Sequence, residues 1–548
     1  MTLLSVSGLN VSINEEVILK DVEFIIDQGE VFGFVGESGS GKSMTALALM
    51  NLLPKGSDRT GQIILDGKNL IDLSEREMCS IRGRDIGMIF QEPMTALNPV
   101  MTIGNQVAET LIIHGGYSRS EAMTIAREKL ARVEMPPNRF SPDLYPHEIS
   151  GGQRQRVCIA LAIALRPKIL IADEPTTALD VSTQAQILDL LKLLVKEEQM
   201  SLLFITHDLA VIARMADRVA VMQTGRIVEM ETTRELFQDM KHDYSKKLFA
   251  ASNYIPETKT KTGGGSFLEV SDVYRAYKLP NRRILDKQNY NVAIRGVSFS
   301  IRKGESLGLV GESGCGKSTL SRTILGLDPL QKGRITVDGV EVISGRKMPH
   351  TLRKKMQVVF QDPFGSFNPR HKVGRLVAEP FHLLAESLSA SEQRERVVTA
   401  LLEVGLRETD VDKYIHEFSG GQRQRIAIAR AMVIKPDLVI LDEAVSALDV
   451  SIRAQILDLL NELQVQHNLS YLFISHDLTV VRAVTDRVLV MQGGKIIEEG
   501  RTDRIFDHPQ HDYTKRLLQA SPRIPTEWVT KETNQGYHTG KLSEKEFR

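Results

Sequence analysis

The eight residues Gly-Glu-Ser-Gly-Ser-Gly-Lys-Ser at 36–43 return at 311–318 as Gly-Glu-Ser-Gly-Cys-Gly-Lys-Ser. The same landmarks then follow each copy in the same order. They are a glutamine (Gln91, Gln361), a Ser-Gly-Gly-Gln run (from Ser150, Ser419), an acidic pair closing an apolar run (Asp173-Glu174, Asp442-Glu443) and a histidine (His207, His476). The offset is 275 at the glycine loop, 270 at the glutamine and 269 at the acidic pair and the histidine. Spacing kept this closely predicts two copies of one domain. A chain of 548 residues is too long for a single core and suits two to four domains.

We place the first domain at 1–255, a linker at 256–266, the second domain at 267–520 and a polar tail at 521–548. The linker ends Glu-Thr-Lys-Thr-Lys-Thr-Gly-Gly-Gly-Ser, without apolar period, and reads as a flexible tether. The tail is polar and of mixed charge, so it is expected to be disordered, with Trp528 as the residue that would dock if any part does. Tyr244 to Phe249 closes the first lobe, as Tyr513 to Leu518 closes the corresponding part of the second.

Short apolar runs at 31–35, 169–172 and 202–205, repeated at 306–310, 438–441 and 471–474, lack polar alternation and are separated by helical stretches such as 183–197 and 452–464. That pattern predicts an α/β fold with a mainly parallel sheet covered on both faces. Between Gln91 and Ser150 the period becomes that of amphipathic helices, for example 120–133, and 391–404 does the same in the second lobe. A helical insert in each lobe is therefore expected.

Composition narrows the function classes. Formal net charge is zero, so no general electrostatic case exists for a nucleic-acid partner. Cys79, Cys158 and Cys315 lie far apart, which argues against a zinc or iron–sulfur site and fits a reducing compartment. Met1 to Ser5 shows no basic start followed by an apolar run, so no secretory signal is expected. No eighteen apolar residues run together, so no helical membrane span is expected either.

The glycine loops carry the chemistry. After a strand and before a helix, Gly36, Gly39 and Gly41, with Gly311, Gly314 and Gly316, let backbone N–H groups turn towards phosphates. The helix beginning at Lys42 or Lys317 adds its positive end. Lys42 and Lys317 are expected to reach the outer phosphates of ATP, and Ser43 and Ser318 to coordinate Mg2+.

Asp173 and Asp442 are candidate metal ligands through water. Glu174 and Glu443 are candidates for polarising the attacking water, at the strand ends where open sheets bind ligands. The alternative is that each pair caps a following helix. Gln91 and Gln361 would orient water or complete Mg2+ ligation, or serve as structural hydrogen-bonding groups. His207 and His476 would contact the terminal phosphate, or be satisfied structural histidines. Ser150, Gly151, Gly152 and Gln153, with Ser419, Gly420, Gly421 and Gln422, form a second phosphate cradle in each lobe. One ATP does not need two cradles in one lobe, so the second is expected to serve a nucleotide held by the other lobe.

Together these motifs resemble the ATP-binding-cassette family over nearly all of residues 1–520. The resemblance implies two tandem P-loop nucleotide-binding domains, each with a helical subdomain and a small antiparallel β subdomain. It also implies head-to-tail pairing within this one chain, with two ATPs and Mg2+. Site one would comprise Gly36–Ser43, Gln91, Asp173, Glu174 and His207, completed by Ser419–Gln422 and Asp449. Site two would comprise Gly311–Ser318, Gln361, Asp442, Glu443 and His476, completed by Ser150–Gln153 and Asp180. The family's adenine-stacking aromatic is matched by Tyr277, but the aligned residue of the first lobe is Ile13. Ile13 can pack on the base without aromatic stacking, so weaker ATP binding is expected there. An extra segment around Leu279 to Tyr290 lengthens the second lobe and is expected to be a surface hairpin or loop.

More narrowly, the chain resembles fused ATPases of bacterial peptide importers. Gln91-Glu92-Pro93 with Asn98-Pro99, and Gln361-Asp362-Pro363 with Asn368-Pro369, match their Gln-x-Pro…Asn-Pro stretch. His511-Asp512-Tyr513-Thr514 matches their C-terminal motif, and His242-Asp243-Tyr244 is a looser copy. Many such proteins carry a cysteine cluster in this region, and here no cysteine follows Cys315.

The resemblance implies an ATP-driven motor at the cytoplasmic face of the bacterial inner membrane, peripheral to it. Its partners would be two transmembrane permease subunits and an extracytoplasmic peptide-binding protein. Met94, Leu97, Phe364 and Phe367 would line the permease contacts, or else pack the insert on the core. Cargo would be peptides or peptide-like compounds such as microcin C, with glutathione or nickel as alternatives. The competing class, twin-cassette proteins acting on ribosomes or nucleic acid, usually has a long charged arm between lobes, unlike this short Gly/Thr-rich seam. A non-hydrolysing scaffold is disfavoured by the two intact glutamates.

Overall fold

Val31–Val35 is buried at every position, as a strand with neighbours on both sides and both faces covered must be. The structure, a computed structural model, describes residues 1–177, 179–254, 264–278, 290–345, 348–362, 365–446 and 448–529. In the first copy the six-stranded sheet runs Arg226–Thr232, Arg218–Gln223, Val31–Val35, Ser201–Thr206, Ile169–Asp173, Ile86–Ile89. All neighbours are parallel except the outer pair Arg226–Thr232 and Arg218–Gln223. In the second the order is Met356–Val359, Leu438–Asp442, Ser470–Ile474, Ser306–Val310, Arg487–Gln492, Lys495–Arg501. Again only the last pair is antiparallel. The glycine-loop strand is internal in both sheets, flanked by strands that arrive from different parts of the chain. That places the loop at the carboxyl edge of the sheet, at a switch point where ligands bind.

Each copy also carries a four-stranded antiparallel sheet. In the first it runs Glu16–Asp27, Thr2–Ile13, Ser57–Leu65, Lys68–Asn69, and in the second Tyr290–Arg302, Ser266–Lys278, Lys332–Val337, Val340–Glu341. Phe24 of this sheet meets Phe32 and Phe34 of the glycine-loop strand at ring-centroid distances of 5.5 and 5.0 Å. The rings thereby pack the two sheets of the first copy into one core. Ser266, at the end of the expected linker, already begins a strand. The rest of the linker falls almost wholly outside the described residues, as does the extra segment before Tyr290.

The helical inserts form as the period predicts, over Ile103–Gly115 and Arg119–Arg132 in the first copy. Ser118 and Glu121 close a reciprocal capping box, as Ser389 and Glu392 do for Ala390–Glu403. The counterpart of the first insert helix is short, Val373–Ala378. It tightens into a 3-10 turn over Glu379–Leu383, where Pro380 cannot donate to the helical ladder.

By packing, the chain divides into two compact units. One is Met1–Asn253 with Asp449–Ser451 and the C-terminal stretch from Pro522; the other is Tyr254–Leu448 with Ile452–Ser521. The expectation of a wholly disordered tail is corrected over its described part. Thr526–Trp528 forms a short turn, and Trp528 stacks on Phe237 at 6.2 Å and 27°. A large aromatic surface is worth covering even in a polar segment. Among the described residues no helix is long and apolar enough to cross a membrane.

Candidate functional site

Two glycines show why the loop cannot be built from other residues. A Cβ on Gly36 would lie 2.3 Å from the Met222 carbonyl oxygen, and one on Gly316 2.3 Å from that of Ala293. These close backbone approaches exist only because the side chains are absent, and the tightly curved backbone they allow is of the kind whose N–H groups receive phosphates. Gly41 and Gly316 stand at the N-caps of the helices Lys42–Leu49 and Lys317–Ile324 in the left-handed region. Lys42 Nζ donates to the Gly36 and Glu37 carbonyls at 2.7 and 2.9 Å, and Lys317 Nζ to those of Gly311 and Glu312 at 2.6 and 3.0 Å. Both ammonium groups are therefore held inside the loop. Burial lowers the Lys42 pKa, against the raising pull of Glu174 and Asp173. An incoming polyanion would offset that cost by supplying opposite charge.

Beside the loop, Ser43 Oγ donates to Asp173 Oδ1 at 3.0 Å. Burial, assisted by the neighbouring Glu174 charge and opposed by the Ser43 hydrogen bond, pushes the Asp173 carboxyl up to about 6. Asp442 is likewise raised by burial. The hydroxyl that bonds it, at 3.0 Å, comes from Ser321 and not from Ser318. Ser321 carries no sequence signal: its counterpart in the first copy is Ala46, so the position is not repeated.

The glutamates carry an unexpected backbone feature. Glu174 and Glu443 have φ of +46° and +53°, the left-handed region that non-glycine residues rarely adopt. Their N–H groups donate to the Ile205 and Ile474 carbonyls on the adjacent strand, at 2.9 and 2.8 Å. Each carboxylate is thereby turned off the strand end towards its histidine. His207 Nδ1 lies 3.1 Å from Glu174 Oε1, and His476 Nδ1 3.4 Å from Glu443 Oε1.

In the first copy Glu174 Oε2 also accepts from Gln91 Nε2 at 3.0 Å and Thr177 Oγ1 at 2.9 Å. Burial works against its charge, yet the His207 and Thr177 bonds and the charges of His207 and Lys42 outweigh it and hold its pKa below the usual value. Glu443 is held low in the same way, burial being overcome by His476 and Lys317. In the second copy Gln361 is exposed, and among the described residues no hydrogen bond joins its amide to Glu443. Among the described residues neither acidic pair caps a helix. That task falls to Asp180, which accepts from Thr183 N and Oγ1 at 3.1 and 3.0 Å at the start of Val181–Glu198. Asp449 directly precedes the matching helix Val450–His467.

Ser150 and Ser419 cap the helices Gly151–Ala162 and Gly420–Met432, each in a reciprocal box with Gln153 or Gln422. The two glycines in each run differ. Gly151 and Gly420 have ordinary or open space around them, whereas a Cβ on Gly152 would meet Thr183 Cγ2 at 2.4 Å and one on Gly421 would meet Ile452 Cγ2 at 2.5 Å. The second glycine is thus required by helix packing as well as by any ligand.

At the positions expected to meet the base, Tyr277 and Ile13, the copies diverge. Tyr277 Oη donates to Asp328 Oδ2 at 2.8 Å, Arg322 Nε donates to the same carboxylate at 2.9 Å, and Arg275 lies over the Tyr277 ring at 4.5 Å. The aligned residues around the half-buried Ile13 are Val11, Leu47 and Leu53, none of which offers a polar side-chain group.

The reading of the stretches after the glutamines is corrected in part. Leu97 and Phe367 are 3% and 5% exposed and belong to the cores, Phe367 lying under Arg430 at 4.5 Å. Met94 is 59% exposed, and Phe364 lies outside the described residues. Phe90 and Val100 add to the exposed apolar surface near Gln91.

Residues 19–177 and 294–446 match the family described as ABC transporter, and residues 497–545 match the family described as oligopeptide/dipeptide transporter, C-terminal region. The chain is 47% identical to the peptidoglycan transport ATP-binding protein YejF of Agrobacterium fabrum over 95% of this chain and 97% of that protein. It is 43% identical to the glutathione import ATP-binding proteins GsiA of Salmonella typhimurium and Escherichia coli, over 95% of this chain and 89% of each of them. With both matched segments spanning the loops, glutamines and acidic pairs described above, the chain belongs to the ABC transporter family as a twin-cassette ATP-binding protein.

Proposed function

We propose that this chain is the ATP-hydrolysing subunit of a bacterial importer for peptides or peptide-like compounds. The observation that carries the reading is the presence, in one chain, of two glycine loops each backed by a Glu–His pair at the carboxyl edge of its sheet. Similarity to transport and import ATP-binding proteins over nearly the full length supports it.

At each site the loop and its lysine would bind the phosphates, while Glu174 or Glu443 accepts a proton from the attacking water and His207 or His476 holds that carboxylate in place. Ser43, Asp173 and Gln91, and Ser318, Asp442 and Gln361, offer the oxygen donors that suit Mg2+. That ion would offset the negative charge of the phosphates. The signatures Ser419–Gln422 with Asp449, and Ser150–Gln153 with Asp180, would complete the opposite sites, so that binding closes the cassettes and hydrolysis reopens them.

Two permease subunits would receive this motion at the cytoplasmic face of the inner membrane, with Met94, Phe90 and Val100 at one contact. An extracytoplasmic binding protein would deliver cargo. Peptidoglycan and glutathione are the cargo candidates that the relatives' names suggest. The test is ATP turnover of the chain reconstituted with its permeases and binding protein. Stimulation by a peptide-like cargo is expected, and turnover indifferent to the permeases would reject the assignment.

A further inference from the structure

The His-Asp-Tyr motif has no role in the chemistry described so far, yet it reaches the glycine loop in both copies. Tyr244 Oη accepts a hydrogen bond from the Glu37 backbone N–H at 3.1 Å, and Tyr513 Oη accepts from that of Glu312 at 3.0 Å. Both tyrosines are buried. The opposite side of the same stretch of backbone is gripped by lysine, through the carbonyls of Gly36 and Glu37 or of Gly311 and Glu312. The start of each loop is thus held between a cation on its carbonyls and a phenol on its N–H.

The tyrosines are themselves fixed by a repeated set of bonds. His242 Nδ1 accepts from Tyr244 N at 3.1 Å, and His511 Nδ1 from Tyr513 N at 3.0 Å. Glu229 accepts from the backbone of Lys241 and His242 at 2.6 and 3.2 Å. Glu498 accepts from that of Gln510 and His511 at 2.7 and 3.1 Å. Glu229 and Glu498 stand on the antiparallel edge strands Arg226–Thr232 and Lys495–Arg501. A chain of hydrogen bonds therefore runs from the sheet edge, through the histidine-capped helix, to the loop at the sheet centre.

We propose that Tyr244 and Tyr513 are positioning residues that hold the glycine loops in their phosphate-receiving shape. The assignment rests on the loops being the phosphate sites. Glu37 and Glu312 lie between loop glycines, where no strand or helix partner satisfies the N–H. A part-buried donor left without its acceptor favours other loop shapes, and every departure lowers the fraction ready to bind.

The test uses the full chain carrying Tyr244→Phe or Tyr513→Phe, each in a background where Lys317→Ala or Lys42→Ala silences the other site. Hydrogen exchange of the peptide containing Glu37 or Glu312 is expected to quicken at least about tenfold, with the rest of the cassette unchanged. ATP and inorganic tripolyphosphate are expected to weaken together, by about 5- to 20-fold. Unchanged exchange and affinity would overturn the proposal, as would faster exchange throughout the cassette, which would mark a packing role. Glu229→Gln and Glu498→Gln, which loosen the anchor without touching the phenol, should reproduce the local exchange change more weakly if a phenylalanine variant fails to fold. If Lys42→Ala and Lys317→Ala alone leave tripolyphosphate binding intact, the reading of the loops fails, whatever the tyrosines do.

Discussion

Replacing Tyr277 by isoleucine would give the second cassette the residue that the first has at the proposed base position. Stacking of a base on an aromatic ring is worth about 1–3 kcal/mol. Isoleucine keeps some apolar contact, so a loss of about 1–2 kcal/mol is expected, or about 5- to 30-fold in Kd. The tether supports the upper part of that range. Asp328 accepts from the phenol, Arg322 holds Asp328, and Arg275 covers the ring, so the tyrosine enters binding already ordered. The assay is equilibrium binding to the full chain in a Lys42→Ala background, which leaves the second site to report. ATP should weaken by that factor, while inorganic tripolyphosphate should stay within about twofold because it makes no base contact. Equal weakening of both, or of neither, would refute the reasoning. The converse exchange is expected to be lopsided. Ile13→Tyr alone should tighten the first site less than about threefold, since Leu53 offers the phenol no acceptor, and Ile13→Tyr with Leu53→Asp should gain more.

Glu174→Gln and Glu443→Gln should each lower ATP turnover to half or less, and the double variant should lose about 10²- to 10⁴-fold; full turnover in either single variant would remove that glutamate from the chemistry. Gly152→Ala should destabilise the first cassette by about 1–3 kcal/mol through the 2.4 Å approach to Thr183 Cγ2. Thr183→Ser, which removes that methyl and keeps the hydroxyl bonded to Asp180, should restore most of the loss in thermal unfolding. Of the three thiols, exposed Cys79 alone should be alkylated rapidly in the native chain at pH 8, as read by peptide mass. Burial pushes the Cys158 thiol up to about 12 and raises Cys315, so both stay protonated and shielded.

The alternation of unbroken apolar runs with helices was enough to read the parallel sheets, because a strand covered on both faces has little freedom in composition. The glycine loops were legible for a related reason, since only glycine tolerates the approach to Met222 and Ala293. What stayed hidden depends on how side chains turn and meet once the chain is folded. Thr177 and Ser321 are ordinary hydroxyls until folding sets them on Glu174 and Asp442. Leu97 and Phe367 followed the glutamines and suggested a surface, but apolar residues of that kind serve a core equally well, and the core took them. Trp528 docked against Phe237 because one large ring can outweigh the polarity of its neighbours.

The left-handed backbone at Glu174 and Glu443 has a consequence for protein engineering. A non-glycine residue in that region costs on the order of 1–3 kcal/mol. Glycine at either position would release that strain, at the expense of the proposed proton acceptor and of its contact with His207 or His476. Searches that select only for thermal robustness should therefore drift towards glycine here, and the resulting chains would be sturdy and idle.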